Sequence, residues 1–259
     1  MRLDDITLVV LTFNEAPNIG RTLERLLWAK RIVVVDSFSD DGTGAIVARY
    51  PKAELFRRQF DSHANQWNFA IRETDIKTEW VLALDADYQI SDKLMREIEA
   101  LVVEPDIGGY QARFLYCVGG RALRGAAYPP VTVLFRARRA AYVQDGHTQR
   151  VRIDGRVRAL GNPILHDDRK PLSSWLAAQT RYMRLEADKL LNTSFGDLGA
   201  ADRLRRMIVF APVVMPFYCL FVKGNLFDGR AGLFYALQRT LAELMLSLYL
   251  LERGLAGRI

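Results

Sequence analysis

The chain has 259 residues, 50% of them hydrophobic, which excludes global disorder and is enough for one large domain with an appendage. Its Lys and Arg residues outnumber Asp and Glu by 36 to 30, a basic excess that suits phosphates, nucleic acid or an anionic membrane face. The two cysteines, Cys117 and Cys219, lie far apart in apolar segments, which argues against a disulfide framework or a thiolate metal site and favours a reducing compartment.

The N-terminal segment MRLDDITLVV has two acids among its first residues and then becomes strand-like. This pattern is typical of neither a signal peptide nor a transit peptide. We therefore expect a cytosolic protein whose mature chain starts here.

Strands and helices are predicted to alternate in the first part of the chain. Short apolar, β-branched runs predict strands at residues 6–12, 31–36, 53–56 and 80–84. Apolar residues at helical spacing predict helices at residues 19–27, around 46–47 and at 64–72. This alternation predicts an α/β fold with a mainly parallel sheet covered on both faces.

Polar loops follow three of these strands, at residues 12–15, 36–41 and 85–87. Ligands of such sheets bind outside the carboxyl ends of the strands, so the loops are expected to converge on a ligand. Asp85 and Asp87 point the same way if the strand persists, and two carboxylates can share Mg²⁺ or Mn²⁺ with a substrate diphosphate. For an isolated pair, the commoner alternative is a turn in which Asp85 caps the next segment and Asp87 is solvated.

Three segments occur in order at these strand ends, VVLTFNEAPNIGRTLERL, IVVVDSFSDDGT and EWVLALDADYQI. Together they strongly resemble family 2 glycosyltransferases of the GT-A fold, over residues 6 to about 190. Within that family the chain looks similar to bacterial lipopolysaccharide-core and exopolysaccharide glucosyltransferases. The resemblance implies a Rossmann-like sheet flanked by helices, a Mg²⁺ or Mn²⁺ cofactor, and inverting transfer of a sugar from a nucleotide diphosphate donor, with a UDP-sugar expected.

The resemblance also implies roles for residues on the donor side. Asp87 would be the direct metal ligand and Asp85 its partner near the donor ribose or the metal. Two positions depart from the family pattern, because Ser37 replaces a usual second acid and Trp67 stands where many relatives have Arg, with packing as its alternative role. The expected donor-binding residues are Thr12, Phe13, Asn14, Glu15, Asp36, Gln66, Asn68, Asp85, Ala86, Asp87 and Arg124.

An inverting transfer needs a base that takes the proton of the acceptor hydroxyl. The resemblance gives this role to Asp145, and His147 is the rival, as the base itself or as a group that orients Asp145. His147 can equally be a hydrogen-bonded loop residue. His166 is expected in the metal or diphosphate shell, with a satisfied buried histidine as the alternative.

Basic residues beyond the carboxylate pair are candidates for phosphate or acceptor contacts. Arg121 or Arg124 could bind a phosphate through a bidentate guanidinium, and a solvated basic face is the alternative. Arg181 and Tyr182 are expected to border the acceptor cleft. The predicted domains are a catalytic domain at residues 1–190, with donor and acceptor halves meeting near residue 100, and a helical region at residues 191–259.

The C-terminal region contains sixteen uncharged, mostly apolar residues at 207–222. A straight helix of that length spans about 24 Å, short of a hydrocarbon core of about 30 Å, and Pro212 and Pro216 weaken it further. These features predict an interfacial or re-entrant segment with preceding arginines toward anionic headgroups, and the alternative is a hydrophobic subdomain or a dimer interface. A later stripe at helical spacing is explained equally well by packing on the catalytic domain or on a partner chain: Leu233, Leu237, Leu241, Leu244, Leu248 and Leu251.

The sequence therefore predicts a metal-dependent glycosyltransferase on the cytoplasmic side of the inner membrane, peripheral or monotopic, that acts on a lipid-linked saccharide in cell-envelope polysaccharide or lipopolysaccharide synthesis. One alternative is a non-catalytic nucleotide-sugar or membrane-binding protein of the same fold. A nucleotidyltransferase is the other, although the chain lacks a glycine-rich phosphate loop after its first strand. Nucleic-acid binding is not expected, because the basic residues are dispersed.

Overall fold

The computed structural model describes residues 1–146 and 148–256. Its strands in chain order are β1 (Ile6–Thr12), β2 (Ile32–Asp36), β3 (Ala53–Arg57), β4 (Trp80–Asp85), β5 (Tyr88–Gln89), β6 (Ile107–Ala112), β7 (Phe114–Val118), β8 (Arg121–Ala122), β9 (Val131–Arg136), β10 (Ala140–Asp145), β11 (Thr148–Ile153), β12 (Arg156–Ala159) and β13 (Ile164–His166). Its α-helices are α1 (Ile19–Glu24), α2 (Thr43–Val47), α3 (His63–Arg72), α4 (Asp92–Glu99), α5 (Leu172–Asn192), α6 (Ala200–Arg206), α7 (Phe210–Phe217) and α8 (Arg230–Ala256).

A central sheet is formed by seven strands of the described residues, in the order β12, β6, β9, β4, β1, β2, β3. The pairs among β1, β2, β3 and β4 are parallel, and β12 is parallel to β6. Strand β9 runs antiparallel to both of its neighbours, β4 and β6. The predicted α/β class with a mainly parallel sheet is confirmed, as are the four predicted strands, to within two residues at each end.

Alternate residues of the central strands enter two separate hydrophobic layers, as the two-residue period of a strand requires. Leu8, Val10 and Val34 belong to the larger layer, which takes in residues of α1, α2 and α4. Val9 and Val33 belong to the other layer, with residues of α3. Because both faces are covered, each of these strands reads as a continuous apolar run.

Two smaller sheets accompany the central one. Strand β13 pairs antiparallel with β5 and parallel with β7, and β8 pairs antiparallel with β7. Strands β10 and β11 form a two-stranded sheet.

The chain divides into two compact units. The first holds residues 1–122, 128–144 and 149–169, and the second holds the described parts of 123–127, 145–148 and the chain from Lys170. The core of the second unit is made by α5, α8 and their neighbours, including Met183, Leu190, Leu246 and Leu250. By packing, helix α5 groups with the later helices. The predicted division at residue 190 is a functional one, and it stays a prediction.

The apolar segment at 207–222 is helical from residue 210 onward, through both of its prolines. Pro212 and Pro216 lie in α7, which continues as a π-helix at Tyr218–Val222. Pro212 lies in the first turn, where a missing N–H is tolerated, and the π-turn follows Pro216, where the regular hydrogen-bond ladder is disturbed. Among the described residues, no helix is both long enough and apolar enough to span a bilayer.

Helix α8 confirms the predicted periodicity and decides against one of the alternatives left open for the leucine stripe, packing on the chain itself. The leucine stripe faces outward, with exposures between 39% for Leu241 and 66% for Leu248. The opposite side is buried and includes two polar residues, Glu243 and Ser247. Ser247 donates to the carbonyl oxygen of Ile208 at 2.6 Å, and Arg205 donates to Glu243 at 2.9 Å. Among the described residues, the leucine stripe therefore does not pack on the chain itself, and the membrane and the partner-chain alternatives stay open.

Candidate active site

The ends of β1, β2 and β4 lie side by side at one edge of the central sheet. Thr12 is in register with Asp36, and Leu11 is in register with Asp85. The parallel pairing places the carboxyl ends of these strands together. The predicted convergence of the three polar loops is therefore present in the fold.

The loops that follow β1 and β2 are tied together by side chains. Asn14 has a φ of 53°, and its backbone N–H donates to Ser39 Oγ at 2.8 Å while its side-chain oxygen accepts from the N–H of Asp40 at 3.0 Å. The N–H of Glu15 donates to Thr43 Oγ1 at 2.8 Å. Asn tolerates the left-handed conformation better than most residues. The two loops thus form one rigid wall of the site.

Buried polar groups lie beneath this wall. Asp36 is 1% exposed and accepts from the N–H of Ser39 at 2.9 Å as well as from its hydroxyl. The hydroxyl of Thr12 is buried and has no hydrogen-bond partner among the described residues, which is uncommon for a buried polar group. Phe13 is 48% exposed beside it, so an apolar face and a buried oxygen adjoin at this strand end.

Asp85 and Asp87 each have a partner from the four-stranded sheet that contains β5 and β13. His166 Nε2 lies 3.0 Å from Asp87 Oδ2, and Tyr88 makes a side-chain hydrogen bond with Asp85. The register of β13 with β5 places His166 opposite Tyr88. The tripeptide is therefore part of a structured cluster, with Ala86 between the carboxylates 2% exposed and its carbonyl oxygen accepting from the Thr22 hydroxyl at 2.6 Å.

The cluster is electrostatically coupled. Burial and the charges of Asp85 and Asp87 raise the pKa of Tyr88 well above its ordinary value, so its phenol stays a neutral donor. Burial disfavours charge on His166, but the Asp87 carboxylate opposes this effect and raises the pKa of the imidazole. The two carboxylates thus raise the pKa of both the Tyr88 phenol and the His166 imidazole.

The donor atoms suit a divalent cation in chemistry. Asp85, Asp87 and His166 offer carboxylate oxygens and an imidazole nitrogen, a set that fits Mn²⁺ and, through the oxygens, Mg²⁺. Within residues 1–146 and 148–256 there is no group of three or more His, Cys, Asp or Glu side chains already arranged around a common centre. A metal here would therefore take ligands from the substrate or water, which is usual for Mg²⁺.

A polar network that the sequence patterns missed joins the first loop to the end of β13. Asn18 donates to Glu15 Oε2 at 2.7 Å and to Asp168 Oδ1 at 2.8 Å. Arg21 donates to Asp167 Oδ2 at 2.7 Å, and the N–H of Asp167 donates to the carbonyl oxygen of Asp87 at 3.0 Å. The one available signal was the run of charges in HDDR directly after the apolar NPIL.

Residues of α3 contact either the loop after β2 or strand β10. Gln66 is 1% exposed and donates to Ser37 Oγ at 3.0 Å. Asn68 donates to the carbonyl oxygen of Tyr142 and accepts from its N–H, both at 2.9 Å. Trp67 is 3% exposed and stacks on the Tyr142 ring at 5.3 Å, so packing is its observed role. The donor-binding roles of Gln66 and Asn68 stay predictions.

Asp145, the expected base, and Arg124, an expected donor-binding residue, belong to the second unit. Asp145 Oδ1 lies 2.9 Å from Lys189 Nζ, which also lies 3.2 Å from Asp202. Arg124 extends over the Phe227 ring at 5.2 Å, and its backbone N–H donates to Asp228 Oδ2 at 2.9 Å. His147 lies outside the described residues. The roles of Asp145 and Arg124 stay predictions.

Comparison with known proteins decides the family. The sequence model of a protein family described as "Glycosyl transferase family 2" matches residues 7–155, more than half of the chain. The chain belongs to glycosyl transferase family 2. This family 2 glycosyltransferase is similar to the "Lipopolysaccharide core biosynthesis glycosyltransferase LpsC" of Rhizobium meliloti (strain 1021), with 27% identity over 240 residues that cover 86% of this chain and 82% of that protein.

Further similarities are more distant or shorter. An uncharacterized glycosyltransferase of Rickettsia bellii (strain RML369-C) is 33% identical over 108 residues, 41% of this chain and 36% of that protein. The crystal structure of S. aureus TarS 1-349 in complex with UDP has a TM-score of 0.50 and 15% identity, with coverage of 98% of this chain and 92% of that one. The same TarS fragment in complex with UDP-GlcNAc also has a TM-score of 0.50. These likenesses confirm a GT-A-like fold for this family 2 glycosyltransferase, and the family match favours sugar transfer over nucleotidyl transfer.

Proposed function

We propose that this glycosyltransferase moves a sugar from a nucleotide diphosphate donor, with a UDP-sugar expected, to a lipid-linked saccharide, with inversion and with a divalent metal. The acceptor would belong to cell-envelope polysaccharide or lipopolysaccharide synthesis, in keeping with the name of the LpsC relative. The observation that carries the proposal is the meeting of Thr12, Asp36 and Asp85 at one sheet edge, with Asp87 and His166 beside them. The UDP and UDP-GlcNAc complexes of TarS, which shares the fold, support the choice of donor.

On the donor side, the chain offers a preformed surface. The interlocked loops would hold the nucleoside between the exposed Phe13 ring and the buried Thr12 hydroxyl, since an apolar pocket with a few convergent polar groups is typical of such sites. Asp85 and Asp87 would hold the metal, with His166 in its outer shell. When bound, the metal supplies positive charge that stabilises the departing diphosphate.

Turnover of a donor panel tests the donor end directly. We expect Asp87→Asn to keep the fold and to lower nucleoside diphosphate release from UDP-glucose or UDP-GlcNAc by at least about a hundredfold, the size of effect that follows loss of a transition-state electrostatic partner. Asp75→Asn is the matched control, because Asp75 is an exposed aspartate whose φ of 54° asparagine also tolerates. Undiminished release by Asp87→Asn, or equal release with and without Mg²⁺ or Mn²⁺ after chelation, would refute the proposal.

For the proton transfer, Asp145 is the proposed base and Lys189 its charged neighbour. Loss of a general base lowers turnover by about 10²- to 10⁴-fold. Asp145→Asn should therefore reduce kcat while UDP affinity, measured by calorimetry, stays the same. His147→Gln is the parallel variant, and a larger fall in kcat for His147→Gln than for Asp145→Asn would transfer the role to His147.

Exposed apolar side chains of the second unit support association with a membrane face. They run from α7 through the π-helix into α8, and they include Phe210, Val213, Phe217, Phe221, Val222, Phe227, Leu237 and Leu248. Arg203 and Arg230 are exposed in the same unit and would meet anionic headgroups. Large exposed apolar surfaces mark interaction sites, and a lipid-linked acceptor has to be reached at the cytoplasmic face of the inner membrane.

Vesicle flotation separates this proposal from a protein interface. We expect the chain to float with phosphatidylglycerol-containing vesicles and Leu237→Asp/Leu248→Asp to float less, because two charges would enter the apolar face. Light scattering on the same samples reports oligomeric state. A stable dimer that dissociates in the double variant, without flotation of either protein, would show that the face is an interface between copies.

A further inference from the structure

A row of aromatic side chains crosses the four-stranded sheet of β5, β13, β7 and β8, next to Asp85 and Asp87. Strand register places Tyr88 of β5 and Tyr116 of β7 directly opposite His166, one on each side. Their ring centroids lie 5.3 Å and 4.8 Å from that of His166. Side chains opposite one another on adjacent strands share a face of the sheet, so the row is fixed by backbone pairing.

Tyr128 completes the row from the segment before β9. Its ring stacks on Tyr116 with centroids 5.8 Å apart and an interplanar angle of 10°, and it lies 5.7 Å from His166. Tyr128 is 40% exposed and Tyr116 is half-buried. The row therefore has a carboxylate end, at Asp85 and Asp87, and an open aromatic end.

The two ends differ in their packing. Tyr88 packs against the larger hydrophobic layer and against Phe114 at 4.7 Å. Neither Tyr116 nor Tyr128 is a member of the hydrophobic layers formed by the described residues. This stacked tyrosine pair lies outside the core and is partly open, and Tyr residues with an apolar face and a polar tip are typical of recognition surfaces.

A pyranose ring matches this combination of groups. One face of a pyranose carries C–H groups that make dispersion contacts with an aromatic ring, while its hydroxyls can donate to carboxylates and exchange hydrogen bonds with phenols. We propose that Tyr116 and Tyr128 form a stacking subsite for a pyranose ring, held next to the Asp87 and His166 pair. The inference rests on the proposed sugar transfer and adds to it the side chains that bind the saccharide.

Calorimetry with UDP, UDP-glucose and UDP-GlcNAc, together with the apparent KM for a membrane lipid extract, tests the subsite. We expect Tyr128→Ala and Tyr116→Ala to weaken UDP-sugar binding, or to raise the KM for the extract, by about three- to tenfold, the range for loss of one aromatic contact. Affinity for UDP should not change. Tyr128→Phe should stay close to the wild type, because it keeps the ring.

Val131→Ala is the matched control, since Val131 is 44% exposed and lies three residues from Tyr128. A weaker UDP-sugar complex would assign the subsite to the donor sugar, and a higher KM alone would assign it to the acceptor sugar. The proposal is overturned if Tyr128→Ala matches Val131→Ala in both measurements, or if its affinity for UDP falls as much as that for UDP-sugars.

Saturation-transfer NMR with maltose keeps this inference separate from the proposed function. If the wild type binds no nucleotide sugar, the proposed function fails, and the maltose spectrum alone decides the subsite. A maltose signal that Tyr128→Ala removes and Val131→Ala keeps would then support it. Absence of the signal, or its persistence in Tyr128→Ala, would reject it.

Discussion

Helix α8 offers a test in which the same substitution at two nearby leucines should have opposite consequences. Leu246 is 2% exposed and belongs to the core of the second unit. Leu248 is 66% exposed and belongs to the leucine stripe. Both are in the interior of the helix, where Leu and Ala have similar helix propensities. Any difference between Leu246→Ala and Leu248→Ala therefore reports on packing.

The expected magnitudes follow from burial. Truncation of a fully buried leucine removes its transfer free energy and leaves a cavity, which together lower the free energy of unfolding by about 2 to 5 kcal/mol. We expect about 3 kcal/mol for Leu246→Ala, since the surrounding cluster includes Met183, whose flexible side chain can partly fill the gap. For Leu248→Ala the change should stay within about 0.5 kcal/mol, as for surface positions in general.

Urea unfolding followed by circular dichroism measures the two changes, and vesicle flotation provides the complementary readout. Leu248→Ala should float less than the wild type, while Leu246→Ala should float normally under conditions where it is folded. If Leu248→Ala destabilised the protein as much as Leu246→Ala, the leucine stripe would be the packed face and the burial pattern described above would be wrong.

Three further predictions concern the first unit. Asp167→Asn should lower the free energy of unfolding by about 1 to 2 kcal/mol at neutral pH, because it weakens hydrogen bonds from the partly exposed Arg21 and Arg169. Burial opposes the charge of Asp167, but these guanidinium partners lower its pKa. In urea titrations, the difference in free energy of unfolding between the wild type and Asp167→Asn should therefore be complete above about pH 3.9 and should shrink as the pH falls through the lowered pKa. A difference that does not change with pH would contradict this. Asn68→Ala should lower the free energy of unfolding by about 1 to 3 kcal/mol, because it removes two hydrogen bonds to the Tyr142 backbone, and an unchanged urea midpoint with weaker UDP binding would instead show a donor contact. Burial raises the pKa of Cys117 to about 11, so its alkylation by iodoacetamide at pH 8, followed by intact mass, should be about a hundredfold slower than for an ordinary thiol; rapid labelling of the native protein would contradict this.

The parts of the fold that follow from local patterns could be predicted from the sequence. The strands at Ile6–Thr12 and Trp80–Asp85 are apolar runs bounded by turn residues, and their membership of one mainly parallel sheet follows from the alternation of strands and helices. The polar strand ends then meet because parallel strands share an edge. These steps need no knowledge of contacts between distant residues.

The network beside the site could not be predicted in the same way. Asn18 and Asp168 are 150 residues apart in sequence, and nothing in the residues around either one specifies the other. Asn68 shows a second limit of sequence reasoning. Its amide side chain is suited to contact a nucleotide-sugar donor, but its observed partners are backbone groups of β10. Periodicity in α8 identified a stripe, but it does not say whether a stripe faces the protein or its surroundings.

The reversed direction of β9 has a consequence for which segments can reach the reaction. In a wholly parallel sheet, the segment before each strand arrives at the edge opposite the ligand. Because β9 runs antiparallel to β4, with Trp80 opposite Arg136 and Leu82 opposite Leu134, its first residues lie toward the Asp85 end of β4. One reversed strand thus brings an entering segment, with Tyr128 of the proposed saccharide subsite, to an edge otherwise supplied by outgoing loops. Sequence changes before β9 would then alter the proposed subsite without touching the loops that follow β1 and β2.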